Sequence, residues 1–367
     1  MKQKPSVLFG ILNWGLGHAS RSIPIIKYLQ EKGYQVVVCS DGNVIDFIKQ
    51  EVEDAIFENL PAYNINYRFD SMSINMLVQA PKLLSTYLKE KRAFRALEKK
   101  YKPDFCFSDN RFGCYAKDTA TYFISHQWNI LNPSKKKHAI ASRLNQNFVR
   151  KFTELLIPDD PVLNLTGILT TEVTHKFHAM GILSRFTSED HRDVDSYDYQ
   201  AMAILSGPEP KRTNLENKLC AYFKYKKNLK FALIRGTDRQ AETEISPNVD
   251  VFNIVDKNKI LELITNSEVT LCRSGYTSVM DFLALDLKRI LFIPTPGQTE
   301  QEYLADRMQI FHGYESLQEK GCTVNNLEIT IDKIRSIETT ERTNIHIDSQ
   351  LFHKTIDRIC MKHGLTN

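Results

Sequence analysis

Residues 271–307, LCRSGYTSVMDFLALDLKRILFIPTPGQTEQEYLADR, decide the fold, because their hydrophobic period switches cleanly from strand to helix and back. A short apolar run ending at Cys272 predicts a strand, and after the turn Arg273-Ser274-Gly275 the spacing of apolar residues predicts a helix over 276–285. A second strand is expected over 289–294, then a polar loop and a helix from Thr299. Strand, helix, strand and helix in this order build a parallel sheet. In such sheets the loops leaving the carboxyl ends of the strands form the ligand crevice, so both polar clusters should face one cleft.

The residue types in that crevice describe a ligand. Gly275 lets backbone come close to a bound group, and the free N–H groups of the helix behind it attract an anion. Thr277 and Asp281 lie four apart on one helix face, where an ionised carboxylate can accept hydrogen bonds from the two hydroxyls of a ribose or sugar. Gln298, Glu300 and Gln301 in the second loop add two amides and an acid. Together they suit something polyhydroxylated and anionic. Taken singly, Thr277 can be support for the helix start, Asp281 a solvated acid, and the glutamines ordinary helix-entry residues.

At 367 residues the chain is long enough for two domains, each with its own core, and 42% hydrophobic with 25% charged residues is ordinary for a globular protein. A net charge of +4 is small for this length, and with no long Lys/Arg block nucleic acid is not an expected partner. The start of the chain lacks a signal-peptide pattern, no apolar run is long enough to span a bilayer, and the seven cysteines show no paired spacing. A reduced, cytoplasmic setting is the expectation.

Working outward, residues 7–12 predict a first strand, followed by Asn13-Trp14-Gly15-Leu16-Gly17-His18, a helix over 20–32 and a second strand over 35–39. One reading of this unit is a dinucleotide site, with Gly15 and Gly17 in the turn and Asp41 on a ribose, although Ser20 stands where the third glycine belongs. His18 can also be a loop histidine satisfied by backbone carbonyls. Its ring titrates near neutrality, and a helix amino terminus favours the neutral, proton-accepting form. Asp109 and His126 end the fourth and fifth predicted strands, 104–108 and 121–125, and are candidates for the acceptor side. Residues 75–100 predict a helix broken near Pro81, basic on one side and apolar on the other. Such a helix can lie on an anionic membrane, or be a solvated face over a core.

Residues 187–199 are polar and mark the domain boundary. Asp193 and Asp195 lie in this charged linker rather than at the end of an apolar strand, and His175 and His178 lack further ligands, so no metal is expected. A strand over 201–205 opens the second half and runs into Ser206-Gly207-Pro208, a small turn before a helix that can bring N–H groups to a diphosphate. Lys211 or Arg212 could add charge there.

Arg273-Ser274-Gly275, Asp281, Pro294 and Glu300-Gln301 in this order, with Ser206 to Pro208 upstream and a glycine loop ending in His18, resemble the GT-B glycosyltransferases. The likeness is greatest to the lipid II-forming N-acetylglucosaminyltransferase family, in which Glu is commoner at the position of Asp281. The resemblance implies an α/β GT-B fold: two Rossmann-like domains with parallel sheets facing a cleft. Residues 1–190 would be the acceptor domain, 191–345 the nucleotide-sugar domain, and 346–367 a helix crossing back to the first.

It further implies transfer of a sugar, with inversion and without metal or cofactor, from a nucleotide-sugar of the UDP type to a hydroxyl on a glycan, lipid-linked or small-molecule acceptor. His18 would be the general base. Gly15, Gly17, Ser206, Gly207, Arg273, Ser274, Gly275, Thr277 and Asp281 would bind the nucleotide and diphosphate, and Gln298, Glu300 and Gln301 the donor sugar. An epimerase or hydrolase of the same fold, and a non-catalytic nucleotide-sugar-binding protein, are the alternatives.

Overall fold

The computed structural model describes residues 4–65, 72–190, 194, 196–237, 239, 245–337 and 347–364. Asp193 and Asp195 lie outside the described residues. The chain divides into two compact units: residues 1–185 with 346–367, and residues 186–345.

The first unit runs β1 (Ser6–Ile11), α1 (Gly17–Glu31), β2 (Gln35–Ser40), α2 (Asn43–Glu51), β3 (Ile56–Asn59), α3 (Met72–Tyr101), β4 (Phe105–Asp109), β5 (Thr121–Ile124), α4 (Lys135–Val149), β6 (Glu154–Ile157) and β7 (Phe177–Ala179). All its strand pairs are parallel, in the order β3-β2-β1-β4-β5-β6-β7. Val7, Leu8, Phe9 and Ile11 are fully buried, as are Val36, Val37, Val38 and Cys39, because helices cover both faces of a parallel sheet. Between them Gly10 leaves room for Cys114: a Cβ there would stand 2.7 Å from the Cys114 sulfur.

The second unit runs β8 (Tyr199–Ile204), α5 (Lys211–Tyr225), β9 (Phe231–Ile234), β10 (Val249–Phe252), α6 (Lys257–Thr265), β11 (Ser267–Cys272), α7 (Tyr276–Ala284), β12 (Ile290–Phe292), α8 (Thr299–Met308), β13 (Tyr314–Ser316) and α9 (Val324–Arg335). Its sheet is also parallel, in the order β10-β9-β8-β11-β12-β13. Leu215, Leu219 and Phe223 of α5 and Leu327, Ile331 and Ile334 of α9 pack into one cluster with Ala203, Leu233, Leu271 and Leu291 from the strands. Each of these side chains repeats at three or four residues along its helix, which makes the helices amphipathic.

In both sheets the strand order reverses once, between β1 and β4 in the first and between β8 and β11 in the second. A reversal sends the two neighbouring loops to opposite faces, and a crevice opens between them at the carboxyl edge of the sheet.

Two sequence expectations need correction. Helix α3 is unbroken and contains Pro81, which lies on its exposed side, where the carbonyl it leaves unbonded can be hydrated. Strand β4 includes Asp109 as its last residue, paired in register with Ile11 of β1.

A final helix, α10 (Ser349–Lys362), belongs to the first unit. Asp357 accepts a hydrogen bond from Tyr28 Oη at 2.9 Å and pairs with Lys32 at 2.9 Å, and Arg358 pairs with the buried Glu154 of β6 at 2.5 Å.

Candidate active site

At the first reversal, Ile11 and Asp109 end adjacent strands, and the loop leaving β1 carries residues 13–16 into α1. Gly15 takes a positive φ of 79°, which suits glycine, and His18 is the second residue of α1. Asn13 holds the base of the loop by donating from Nδ2 to the Asp41 backbone oxygen and to Asp41 Oδ2, both at 3.0 Å. Arg111 donates to the other oxygen of Asp41 at 2.8 Å and to the carbonyl of Ile11 at 3.2 Å. Asp41, the residue of the dinucleotide reading, is thus committed to the protein's own bonds. Arg111 is itself fully buried and held by Glu90 of α3 at 2.5 Å, while Glu90 also accepts from Gly113 N at 2.7 Å and Tyr63 Oη at 2.8 Å.

His18 Nδ1 lies 2.7 Å from Asp109 Oδ1, with the imidazole 14% exposed and the carboxylate fully buried. A ring nitrogen that close to a carboxylate oxygen carries the proton and donates it, so Nε2 is left as the proton acceptor. Arg21, three residues along the same helix face, donates from Nε to Asp109 Oδ2 at 2.6 Å and from Nη2 to Asp109 Oδ1. Its Nη1 stands 3.1 Å from His126 Nδ1. Burial would raise the pKa of Asp109, but Arg21 and His18 outweigh it and hold the carboxyl below the ordinary carboxylate range. For His18 burial is the largest influence and lowers its pKa; Asp109 opposes this, and Arg21 and His126 add to it. The arrangement is a neutral imidazole, oriented by an anion, ready to take a proton. Asp109 and His126, expected on the acceptor side, stand behind His18 in this network. Arg21 escaped the sequence reading, although its spacing of three from His18 on a helix was a usable signal.

In the second unit the corresponding reversal is made of backbone. Gly207, after β8, has φ of 100° and is exposed with Ser206. Gly275, before α7, has an ordinary φ of −69°, and a Cβ there would meet nothing nearer than Ser278 Oγ at 3.9 Å. Neither strain nor packing requires glycine at 275, where it caps α7 and leaves the backbone open to a close approach. No side chain caps α7 at Gly275. Thr295, past β12, has a fully buried hydroxyl without a hydrogen-bond partner, 3.8 Å from where a Cβ on Gly207 would be.

The cations expected near a diphosphate are mostly turned inward. Arg273 is 1% exposed and donates to the carbonyls of Ile293 and Pro294, both at 3.1 Å, and of Lys211 at 2.8 Å, while pairing with Glu319 at 2.7 Å. It braces three loops of the crevice rather than presenting its charge to an anion. Arg212 is likewise buried against Glu209 and Glu216, whereas Lys211 is half-buried and donates to Pro296 O at 2.7 Å. Ser274 Oγ donates to Gln301 O at 2.8 Å, and Gln301 Oε1 accepts from Thr295 N at 2.9 Å, so these two lock the β11 turn to the start of α8. Thr277 and Asp281 are half-buried on α7, and Gln298 and Glu300 half-buried around the start of α8.

Among the described residues no cluster of three or more His, Cys, Asp or Glu is placed to hold a metal ion. His175 Nε2 stands 3.1 Å from the Phe152 carbonyl, and His178 pairs with Glu154 at 2.7 Å.

Comparison with known proteins bears on the fold and on the second half of the chain. First, the fold is GT-B. The chain is similar to the glycotransferase of kitacinnamycin, at 14% identity and a TM-score of 0.67 over 99% of this chain and 96% of that one. MurG of Acinetobacter baumannii is similar at 12% identity and a TM-score of 0.59, over 98% and 100% of the two chains. UGT89C1 of Arabidopsis thaliana complexed with UDP-L-rhamnose is similar at 13% identity and 0.59, over 99% and 100%. Second, residues 211–359 match the Glycosyltransferase family 28 C-terminal domain. No curated protein matches the chain by sequence. Domain and fold together support a glycosyltransferase.

Proposed function

We propose that the protein transfers a sugar from a nucleoside diphosphate sugar, UDP-linked in the first instance, to an acceptor hydroxyl. The single observation that carries this reading is the pairing of His18 with buried Asp109 at 2.7 Å, on the edge of a sheet whose fold is that of glycosyltransferases. His18 takes the acceptor proton at Nε2 as the hydroxyl oxygen attacks the anomeric carbon, and the nucleoside diphosphate leaves. Direct attack opposite the leaving group inverts the anomeric centre. Gly275, the open start of α7, Ser206, Gly207 and Thr295 receive the diphosphate, and Lys211 is the half-buried cation beside it. Asp281 binds the ribose, and Gln298, Glu300 and Gln301 the donor sugar. In this reading no metal or cofactor takes part.

Thermal unfolding with UDP, GDP, TDP and NAD comes first. A nucleotide at 100 times its dissociation constant stabilises by about 2.7 kcal/mol, several degrees for units of this size. A shift with a nucleoside diphosphate supports the reading, and a shift with NAD alone overturns it. Incubation with UDP-sugars and hydroxyl acceptors, with and without EDTA, then tests transfer. Nucleotide release that does not depend on acceptor would make the enzyme a hydrolase.

The acceptor side has a second feature. Helices α3 and α4 carry eleven Lys and Arg against two Glu, both buried, so they are net +9 while the rest of a +4 chain is −5. Val78, Leu84 and Leu88 of α3 and Ile140 and Leu144 of α4 are exposed among these cations, and Tyr87 meets Phe148 edge-on at 5.4 Å. No helix among the described residues is long and apolar enough to cross a membrane. We infer that this face rests on an anionic lipid surface, where a lipid-linked acceptor would be found. Sedimentation with phosphatidylserine vesicles tests it: replacing Lys135, Lys136 and Lys137 by Gln should weaken binding by about 1 kcal/mol per lysine. Binding that the triple variant leaves unchanged would remove the inference.

A further inference from the structure

Arg21 has no place in the sequence reading, yet it is fully engaged at the first crevice. It is 1% exposed, and its three nitrogens reach three ionisable side chains from three different elements. Nε and Nη2 grip both oxygens of Asp109 at the end of β4, Nη1 faces His126 past β5, and Nη2 stands 3.0 Å from Nδ1 of His18 on its own helix. These are the charged and titratable groups that face His18: Asp109 from β4, Arg21 from α1 and His126 from the loop after β5.

The protons can be placed from donor counting alone. A guanidinium only donates, so in its 3.1 Å contact with Nη1 the Nδ1 of His126 accepts. Asp109 only accepts. Its Oδ1 takes one proton from Arg21 Nη2 and one from His18 Nδ1, and its Oδ2 takes one from Arg21 Nε and a long one from Ser22 Oγ at 3.4 Å. All four acceptor positions of the carboxylate are then filled. The Arg21 Nη2 group and the His18 Nδ1–H group converge on one oxygen, so their own 3.0 Å contact is between two donors. That contact opposes a positive charge on the ring, whereas Asp109 favours one.

We propose that Arg21 is a positioning residue for His18. It fixes Asp109 from both sides so that the imidazole keeps its proton on Nδ1 and its acceptor on Nε2, and its adjacent charge keeps the ring neutral at the pH where transfer runs. An Asp alone would orient the ring and also make it a cation; the added Arg retains the first effect and cancels much of the second. The lowered proton affinity of buried His18 agrees with this. The inference rests on His18 as the base, and its test must separate the two.

Ring-labelled histidine NMR on the intact chain supplies that test, with His18→Gln to assign His18 among the ten histidines. In the unaltered protein His18 should show the Nδ1–H tautomer and titrate below an ordinary histidine. His18 titrating at or above the ordinary value would overturn the proposal without any variant. In Arg21→Met the midpoint should move up, carrying the acid limb of kcat/KM with it, and kcat at neutral pH should fall by about 10²-fold, the cost of a misplaced group. Arg21→Lys keeps the charge and should recover a midpoint near that of the unaltered protein with part of the lost kcat. Equal losses in the Met and Lys variants with no movement of the midpoint would show Arg21 to be structural. If Arg21→Met does not fold, the tautomer and midpoint of the unaltered protein and of Arg21→Lys decide. Should His18→Ala retain full turnover, the base assignment falls, and the His18 titration still answers whether Arg21 sets its proton.

Discussion

The two crevices have the same topology and are made of opposite materials. Where β1 meets β4, the space is lined by side chains that carry or exchange charge: His18, Asp109, Arg21 and, behind them, Arg111 with Glu90 and Asp41. Where β8 meets β11, the turns nearest the reversal present backbone, with Gly207 and Gly275 exposed or open and the nearby arginines turned inward to brace the loops. A group that must move a proton needs a tuned ionisable side chain and a fixed partner. A group that must hold a diphosphate and let it go is served by N–H dipoles, which have no pKa to tune. In the proposed reading the same strand order serves two tasks, and the residues after the strands distinguish them.

Perturbing each crevice tests the contrast. His18→Ala should lower kcat by roughly 10² to 10⁴, the usual worth of a positioned base, while the thermal shift with UDP stays as it was. A loss of that shift would mean that the first crevice also binds the nucleotide. Asp109→Asn leaves Arg21 buried without its anion and should lower unfolding free energy by about 3–5 kcal/mol in urea titration. The sign with pH follows from its depressed folded pKa: the stabilisation is present above the unfolded value and is lost as pH falls through the folded one. His18 gives a second pH signature. Its pKa lies below the ordinary 6.5, so the acid limb of kcat/KM should lie below that value. In the second crevice, Gly275→Ala should weaken UDP binding about tenfold, close to 1.4 kcal/mol, measured by calorimetry. The same change should alter stability by less than about 1 kcal/mol, the range of a helix-cap substitution. A larger stability loss than binding loss would mean that packing, and not a ligand, keeps residue 275 a glycine.

This contrast also explains what could be read from the sequence. The glycine turns were legible, because a strand, a small turn and a helix are local, and the helix expected over 276–285 is α7 with one residue fewer at its end. The His18 loop was legible for the same reason. The pairing of His18 with Asp109 was not, since 91 residues separate them and only the register of β1 with β4 brings them together. Asp109 read as a cleft residue because it ends a strand, and its role as partner depends on Arg21 and His18 arriving from α1. Arg273 misled in the other direction. A cation in a glycine turn suggests an anion nearby, but four internal partners claim it, three of them backbone carbonyls that local pattern does not reveal. Helices α2, α6 and α9 and strands β7 and β13 were missed, being short or amphipathic segments beside stronger signals.

Helix α10 bears on how the chain comes to be folded. Its residues follow the entire second unit in sequence, yet Tyr28, Lys32, Glu154 and Tyr122 of the first unit are its partners. During synthesis the second unit, a single continuous segment, can finish as soon as it has emerged, whereas the earlier-made unit must wait for the last helix. Until that helix arrives, the carboxylate of Glu154 lacks its arginine. The half of the molecule that is made first is the half completed last, and a chain cut before residue 349 would keep every strand of the second unit while leaving the first without its closing helix.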